Sequence, residues 1–256
     1  MISTLPSINP GNEIEEISKF IIQTLKTTGF KKVVIGLSGG VDSSTVLYLL
    51  AQAVSPSQIY PVHLPYEQKH QHIQTLIKDT KIPQTNLSVL SIKKSVDTLA
   101  SQLSIDKADK IRMGNVMARV RMIMLYDLAK KHNALVAGTE NKSEYYLGYF
   151  TRFGDGASDF EPIRHLYKAH IFKLAKSLSV PKYIIEQKPT AGLWEEQTDE
   201  GEFGFSYAEA DQVLYLYFEQ KQSIEEIQKK GFENAGKIIK FALKNSYKHH
   251  TPYFMV

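Results

Sequence analysis

Apolar positions along this chain alternate between short continuous runs and longer stretches with helical spacing. Ile14, Ile17, Phe20, Ile21 and Leu25 repeat at three- and four-residue intervals, and Gly29 closes that stretch. Lys32-Val33-Val34-Ile35-Gly36-Leu37 is a short β-branched run that predicts a buried strand. A glycine turn follows it, and then a helical pattern from Ser43 to Val54. Ile59 to Leu64 predicts a second strand, which Pro61 moves toward a sheet edge. His70 to Lys81 reads as a helix, Asn86 to Ile92 as a third strand, Ala108 to His132 as one long helix and Ala134 to Gly138 as a fourth strand. Strands alternating with helices imply parallel βαβ units with right-handed crossovers. The expected fold is therefore α/β, a doubly wound parallel sheet of about five strands with flanking helices. Ligands of such sheets sit beyond the carboxyl ends of the strands, so the turns after Leu37, His63 and Gly138 are candidate site positions.

The character changes after residue 140. Asn141 to His165 is rich in glycine, aspartate and aromatic residues and reads as loop. Tyr167 to Leu178 predicts a helix, and Gln187 to Ser206 has no clear period. Helical patterns over Tyr207 to Gln220, Ser223 to Lys230 and Asn234 to Lys248 make a helical C-terminal region.

Composition narrows the function classes. Hydrophobic residues at 43% and charged residues at 23% are ordinary globular usage and exclude a disordered chain. The apolar stretch Val46 to Val54, broken by Gln52, is too short to span a bilayer, and the N-terminus lacks the pattern of a secretory signal. The expectation is a cytoplasmic protein without membrane contact. With no cysteine, disulfide scaffolds, thiolate zinc sites and cysteine nucleophiles are excluded. A net charge of +4 suits an anionic small molecule but is too small and dispersed to indicate nucleic acid.

The strongest local signal is Gly36-Leu37-Ser38-Gly39-Gly40-Val41-Asp42-Ser43-Ser44, a strand running through small residues into a helix. Backbone N–H groups at a helix N-terminus attract phosphate, and glycines let the backbone approach it closely. Ser38, Ser43 and Ser44 add hydroxyls. The simpler reading is a tight turn with Asp42 or Ser43 as helix cap. Neither the Walker lysine loop nor the dinucleotide fingerprint is present. A bare Asp42 carboxylate would repel phosphate, and Mg²⁺ bridging removes that conflict.

Ser-Gly-Gly-x-Asp-Ser resembles the PP-loop of the ATP pyrophosphatases, which split ATP between the α- and β-phosphates. Four further motifs narrow the resemblance: Gly114 to Met122, Gly138 to Glu144, Gly148 to Asp155 and Pro189 to Glu200. With them the chain resembles the ammonia-dependent NAD synthetases from end to end. That resemblance implies an adenine nucleotide alpha-hydrolase-like fold in a single domain over residues 1–256, without the cysteine-dependent glutaminase domain of glutamine-dependent relatives. It also implies the reaction. The nicotinate carboxylate of deamido-NAD attacks the α-phosphate of ATP and releases pyrophosphate; ammonia then displaces AMP to give NAD. The site residues it implies are Gly36, Leu37, Ser38, Gly39, Gly40, Val41, Asp42, Ser43, His63, Thr139, Lys168 and Thr190 for ATP. Asp42, Ser38 and Ser43 are the implied catalytic residues, and Asp42 with Glu144 the implied Mg²⁺ carboxylates. Arg119, Arg152, Asp159 and Lys248 are implied for deamido-NAD, in a homodimer whose site lies near the interface.

The residues themselves bear on several of these assignments. Arg112, Asn115 and Arg119 fall within an arc of roughly 60° on the long helix and form one cationic edge beside an apolar face. Arg121 lies near the apolar side and reads as a paired arginine at a subunit contact. Glu144 on a helix would also suit a solvated face, pairing with Lys142. Lys168 at a helix start opposes the local dipole, which favours a phosphate-facing role. Pro189 to Ser206 reads as a loop that closes over the nucleotides and shields an acyl-adenylate from water, with Trp194 as a hydrophobic anchor. Three departures stand out: His63 where many relatives have arginine, Arg152 where lysine is common, and Tyr247 before Lys248 where histidine is common. A GMP synthetase subunit, a tRNA-thiolating enzyme and a non-catalytic nucleotide-binding module are the competing readings. The Asn141-Lys142-Ser143-Glu144 and Gly192-Leu193-Trp194 segments oppose the first. The missing cysteine and the absence of a basic stripe oppose the second, and Asp42, Glu144 and the serines oppose the third.

Overall fold

The structure is a computed structural model that describes all residues except 1–3, 68–71, 107, 191, 193–196, 251, 254 and 256. The chain opens with α1 (Pro10–Thr28), β1 (Lys32–Gly36), α2 (Val41–Ala53), β2 (Ile59–His63), α3 (Ile73–Asp79) and β3 (Ser88–Val89). There follow α4 (Lys93–Gln102), α5 (Lys110–His132), β4 (Ala134–Ala137), α6 (Lys142–Leu147), α7 (Lys168–Ser177) and α8 (Lys182–Ile185). Helices α9 (Asp199–Phe203), α10 (Tyr207–Leu214), α11 (Ile224–Lys229) and α12 (Ala235–Asn245) complete it.

The strands pair in the order β3-β2-β1-β4, all parallel. β-Branched residues fill β1 because both its faces are covered. Val33 and Ile35 join the core beneath α1, α2 and α7, while Val34 joins the core beneath α4 and α5 with Val62 and Val136. A third core, around Leu147, Phe203, Leu214 and Ile238, holds the C-terminal helices together. The chain leaves β1 toward β2 on one side, and β4 lies on the other, so the switch point is the crevice between β1 and β4.

Among the described residues the sheet has four strands, where about five were expected. The place of a fifth, beside β4, is taken by a single parallel bridge between Ala137 and Phe160. Pro162 has no N–H and cannot extend that pairing. Pro61 lies in an inner strand. Val62 O accepts from Leu37 N, and His63 O accepts from Leu90 N, so the odd-numbered residues of β2 face β3. The β3 pairing begins only at Val62, beyond Pro61, so the missing N–H breaks no ladder bond there.

Helix ends follow the expected chemistry. Asn9 caps α1, and Gly29 ends it at φ 78°. Asp109 accepts from Arg112 N at the start of α5, and Asn133 ends that helix in the left-handed region. Three short helices, α6, α8 and α9, have too few apolar positions to show a period, whereas α4, absent from the expected elements, carries Val96, Leu99 and Ala100 at helical spacing, with Leu103 just past its end. The helix expected over His70 to Lys81 is described only from Ile73.

Candidate active site

The glycine loop lies at the carboxyl end of β1 and runs into α2. Gly39 has φ +88°, a conformation that residues with a Cβ rarely take. Gly40 precedes the first turn of α2, and its N–H donates to Ser38 Oγ at 3.2 Å. Ser38 Oγ and Ser43 Oγ are 2.9 Å apart, while Ser44 is buried in the core, so two of the three serine hydroxyls meet at the loop. His63 Nδ1 donates to Leu37 O at 2.8 Å and ties the end of β2 to the start of the loop.

Across the crevice, Thr139 follows β4 and is half-buried. Asn141 then caps α6, its Oδ1 accepting from Glu144 N at 3.0 Å. Its Nδ2 donates to Asp42 Oδ1 at 2.9 Å, and its N–H to Glu144 Oε2 at 3.2 Å. Lys168, the first residue of α7, reaches the same point. Its Nζ lies 2.6 Å from Asp42 Oδ2 and 3.3 Å from Glu144 Oε1, with only 2% of the side chain exposed. Burial works against this ammonium, yet the two carboxylates hold it above the ordinary lysine range. Burial pushes Glu144 up, opposed by Lys168 and assisted by the charge of Asp42. Glu144 is therefore a capping and ion-paired residue rather than part of a solvated face, and Lys142 pairs with Glu219 instead.

A second group lies along α5. Asn115 Oδ1 accepts from Thr151 Oγ1 at 2.9 Å, and Arg119 Nη2 donates to Arg152 O at 3.3 Å. The cationic edge thus faces the loop that carries Arg152, except that Arg112 turns toward Leu103 O. Arg152 stacks near the rings of Phe153 and Tyr247, at 5.5 and 5.6 Å. Two of the departures in sequence, Arg152 and Tyr247, are thus neighbours. Lys248 donates to Gly148 O and Phe150 O at 2.7 and 2.8 Å. Asp159 Oδ2 accepts from Val136 N at 2.7 Å, which gives this residue a place in the sheet edge. Arg121 donates to Leu64 O at 3.1 Å. Thr190 is exposed, and its hydroxyl accepts from Gly192 N at 3.0 Å, while the preceding Pro189 O accepts from Asp199 N at 3.1 Å. Trp194 lies outside the described residues.

The NAD synthase family matches residues 13–252. This chain belongs to that family. It is similar to an NH3-dependent NAD+ synthetase of Fusobacterium nucleatum, 40% identical over 243 residues that cover 93% of this chain and 92% of the relative. It is also similar to the NMN synthetase from Francisella tularensis, with a TM-score of 0.82 at 31% identity over 97% of this chain and 99% of that one. The NH3-dependent NAD synthetase from Campylobacter jejuni gives 0.80 at 26% identity over 98% and 100%.

In this NAD synthase family member, Asp42 and Glu144 present carboxylate oxygens to one point, where Lys168 Nζ now stands. That donor set fits Mg²⁺ carried on a phosphate, which takes one or two carboxylates. Among the described residues no three acidic, histidine or cysteine side chains form a group that could hold a metal ion. The residues that sequence reasoning missed are those that aim these groups. Asn141 joins Asp42 to Glu144. Ser143 and Asp211 fix the start of α7: Ser143 Oγ donates to Asp211 Oδ1 at 2.5 Å and accepts from Lys168 N, and Asp211 Oδ2 accepts from Ala169 N at 2.8 Å. Burial pushes Asp211 up to about 6. The signal for it was an aspartate among the buried positions Tyr207, Ala210, Val213 and Leu214 of α10.

Proposed function

We infer that this chain is an NH3-dependent NAD synthetase, a carbon–nitrogen ligase that converts deamido-NAD, ATP and ammonia to NAD, AMP and pyrophosphate. The observation that carries this reading is the Asp42–Lys168–Glu144 cluster beside the glycine loop at the switch point, in a chain that matches the family from residue 13 to 252. The loop Gly36 to Ser43, with His63, Thr139, Lys168 and Thr190, holds ATP in this reading. The backbone N–H groups at the start of α2 and the Ser38 and Ser43 hydroxyls face its phosphates. Mg²⁺, when bound by Asp42 and Glu144, neutralises charge on the phosphate oxygens. Lys168 is already cationic beside the same carboxylates, so its charge serves the phosphates once Mg²⁺ has taken Asp42 and Glu144.

Arg119, Arg152, Asp159 and Lys248 receive deamido-NAD and bring its nicotinate carboxylate to the α-phosphorus. A carboxylate oxygen bonds to phosphorus and pyrophosphate leaves. Ammonia nitrogen then attacks the acyl carbon, AMP leaves, and the extra proton goes to solvent. Among the described residues no helix is long and apolar enough to cross a membrane, and we place the enzyme in the cytoplasm. A reaction containing ATP, Mg²⁺, deamido-NAD and ammonium tests the reading. NAD, AMP and pyrophosphate in equal amounts are expected. Turnover of the mononucleotide counterpart in preference to deamido-NAD would move the chain to NMN synthesis.

The dinucleotide subsite has its own test. Arg119→Ala should weaken deamido-NAD roughly 10- to 150-fold and leave ATP affinity unchanged, because a hydrogen bond to a charged group contributes ~1.5–3 kcal/mol. Arg119→Lys recovers part of this, since a point charge cannot reproduce the guanidinium fork. Calorimetry with each nucleotide decides; loss of ATP affinity alone would reverse the two subsites. A homodimer is also expected, and Ile111, Ile123 and Phe153, each more than half exposed, supply apolar surface for it. Sedimentation showing a fully active monomer would refute it.

A further inference from the structure

We propose that Glu161 is a positioning residue for adenylation, its carboxylate latching the 138–141 loop that carries Thr139 and Asn141. The inference rests on reading those two residues and Asp42 as the ATP side of the site. Residues 159 and 160 run beside the end of β4, with Asp159 N donating to Val136 O at 2.9 Å and Gly138 N to Phe160 O at 2.8 Å. Backbone pairing stops there, because the next residues are Glu161 and Pro162 and the chain turns away. The next donor of the loop, Glu140 N, is taken by the side chain instead: Glu161 Oε2 accepts from it at 3.1 Å. Ser158 Oγ donates to Glu161 Oε1 at 2.7 Å and fixes the carboxylate from the other side.

The carboxylate lies directly on Gly138, where a Cβ would come within 1.9 Å of Glu161 Oε1. Gly138 is therefore the residue that makes room for the latch. One residue beyond the latched N–H is Asn141, which holds both Asp42 and Glu144. A continuous series of contacts thus runs from Ser158 through Glu161 and the loop backbone to the carboxylates at the phosphate position.

The latch also stands where a purely structural contact would be costly. Glu161 faces the buried carboxyl of Glu140, whose Oε2 is 3.8 Å from Arg164 Nε and whose Oε1 has no hydrogen-bond partner. Burial pushes Glu161 up to about 7 and Glu140 up to about 9, the neighbouring Glu161 carboxyl adding to the second shift. An apolar side chain at 161 would avoid this crowding of acids, but it would leave Glu140 N unpaired and the loop without a fixed end.

The test uses the whole enzyme with ATP, Mg²⁺, deamido-NAD and ammonium. Glu161→Ala should lower kcat for pyrophosphate release roughly 10- to 100-fold, the scale for a misplacement of about 1 Å, with the KM for deamido-NAD within about twofold of wild type. Glu161→Gln, which keeps an acceptor oxygen, should recover most of that kcat. Gly138→Ala, which displaces the carboxylate while leaving Glu161 in place, should reproduce the kcat loss. Glu161→Ala with wild-type kcat would overturn the proposal. So would a kcat loss that Gln does not recover and that follows loss of folded protein in a thermal melt. Wild-type turnover of deamido-NAD, measured alongside, separates either failure from failure of the functional assignment.

Discussion

Asp42→Asn is expected to lower adenylation by at least ~10²-fold, the scale for removing one preorganised electrostatic group from a reacting centre. Asparagine keeps the size of the side chain and an oxygen that accepts from Asn141 Nδ2. What it removes is the charge, and two partners depend on that charge. Lys168 Nζ sits 2.6 Å from Asp42 Oδ2, and a phosphate-borne Mg²⁺ would take the same carboxylate. Pyrophosphate release in single turnover, with saturating ATP and deamido-NAD, isolates the step. Near-normal release would remove Asp42 from the catalytic group. The folded state should also weaken, because the variant leaves a buried ammonium with Glu144 alone at 3.3 Å.

Lys168→Met should destabilise the protein by about 3 kcal/mol, the lower end for breaking a buried ion pair from one side. Methionine fills the space of the lysine stem but strands two carboxylates. The lower end applies because Asp42 and Glu144 keep 19% and 17% of their side-chain exposure, so water screens part of the repulsion. For a chain of this length the shift corresponds to a melting temperature lower by roughly 6–12 °C. Adding Mg²⁺ should raise the melting temperature of the variant more than that of the wild type, since the cation takes up the position the ammonium left. Melts of both proteins with and without Mg²⁺ measure both effects. Equal melting temperatures without Mg²⁺ would mean that the ion pair contributes nothing to the fold. An equal Mg²⁺ response would mean that the two carboxylates do not bind the metal together.

The alternation of short β-branched runs with helical periods determined the α/β fold, because a parallel strand buried on both faces admits few residues other than Val, Ile and Leu. The glycine loop was legible for a similar reason: small residues between a strand and a helix leave backbone N–H groups open to phosphate. Arg119 could be placed on one edge of α5 with Asn115 from spacing alone, since a helix has a fixed 100° step. The motifs from Gly36 to Glu200 were enough to name the family. The polar contacts that aim the site were decided by tertiary structure. Asn141 meets Asp42 across 99 residues of sequence and Lys168 meets it across 126, and no local period encodes such a distance. Short helices such as α6 carry too few apolar positions to show a period; Asn141-x-x-Glu144 has the spacing of a capping box, but that this cap is aimed at Asp42 became visible only in three dimensions. The same holds for Glu161. In the sequence it is an acid before a proline, and only the packing of residues 158–161 against the end of β4 puts its carboxylate on Gly138 and makes it a latch.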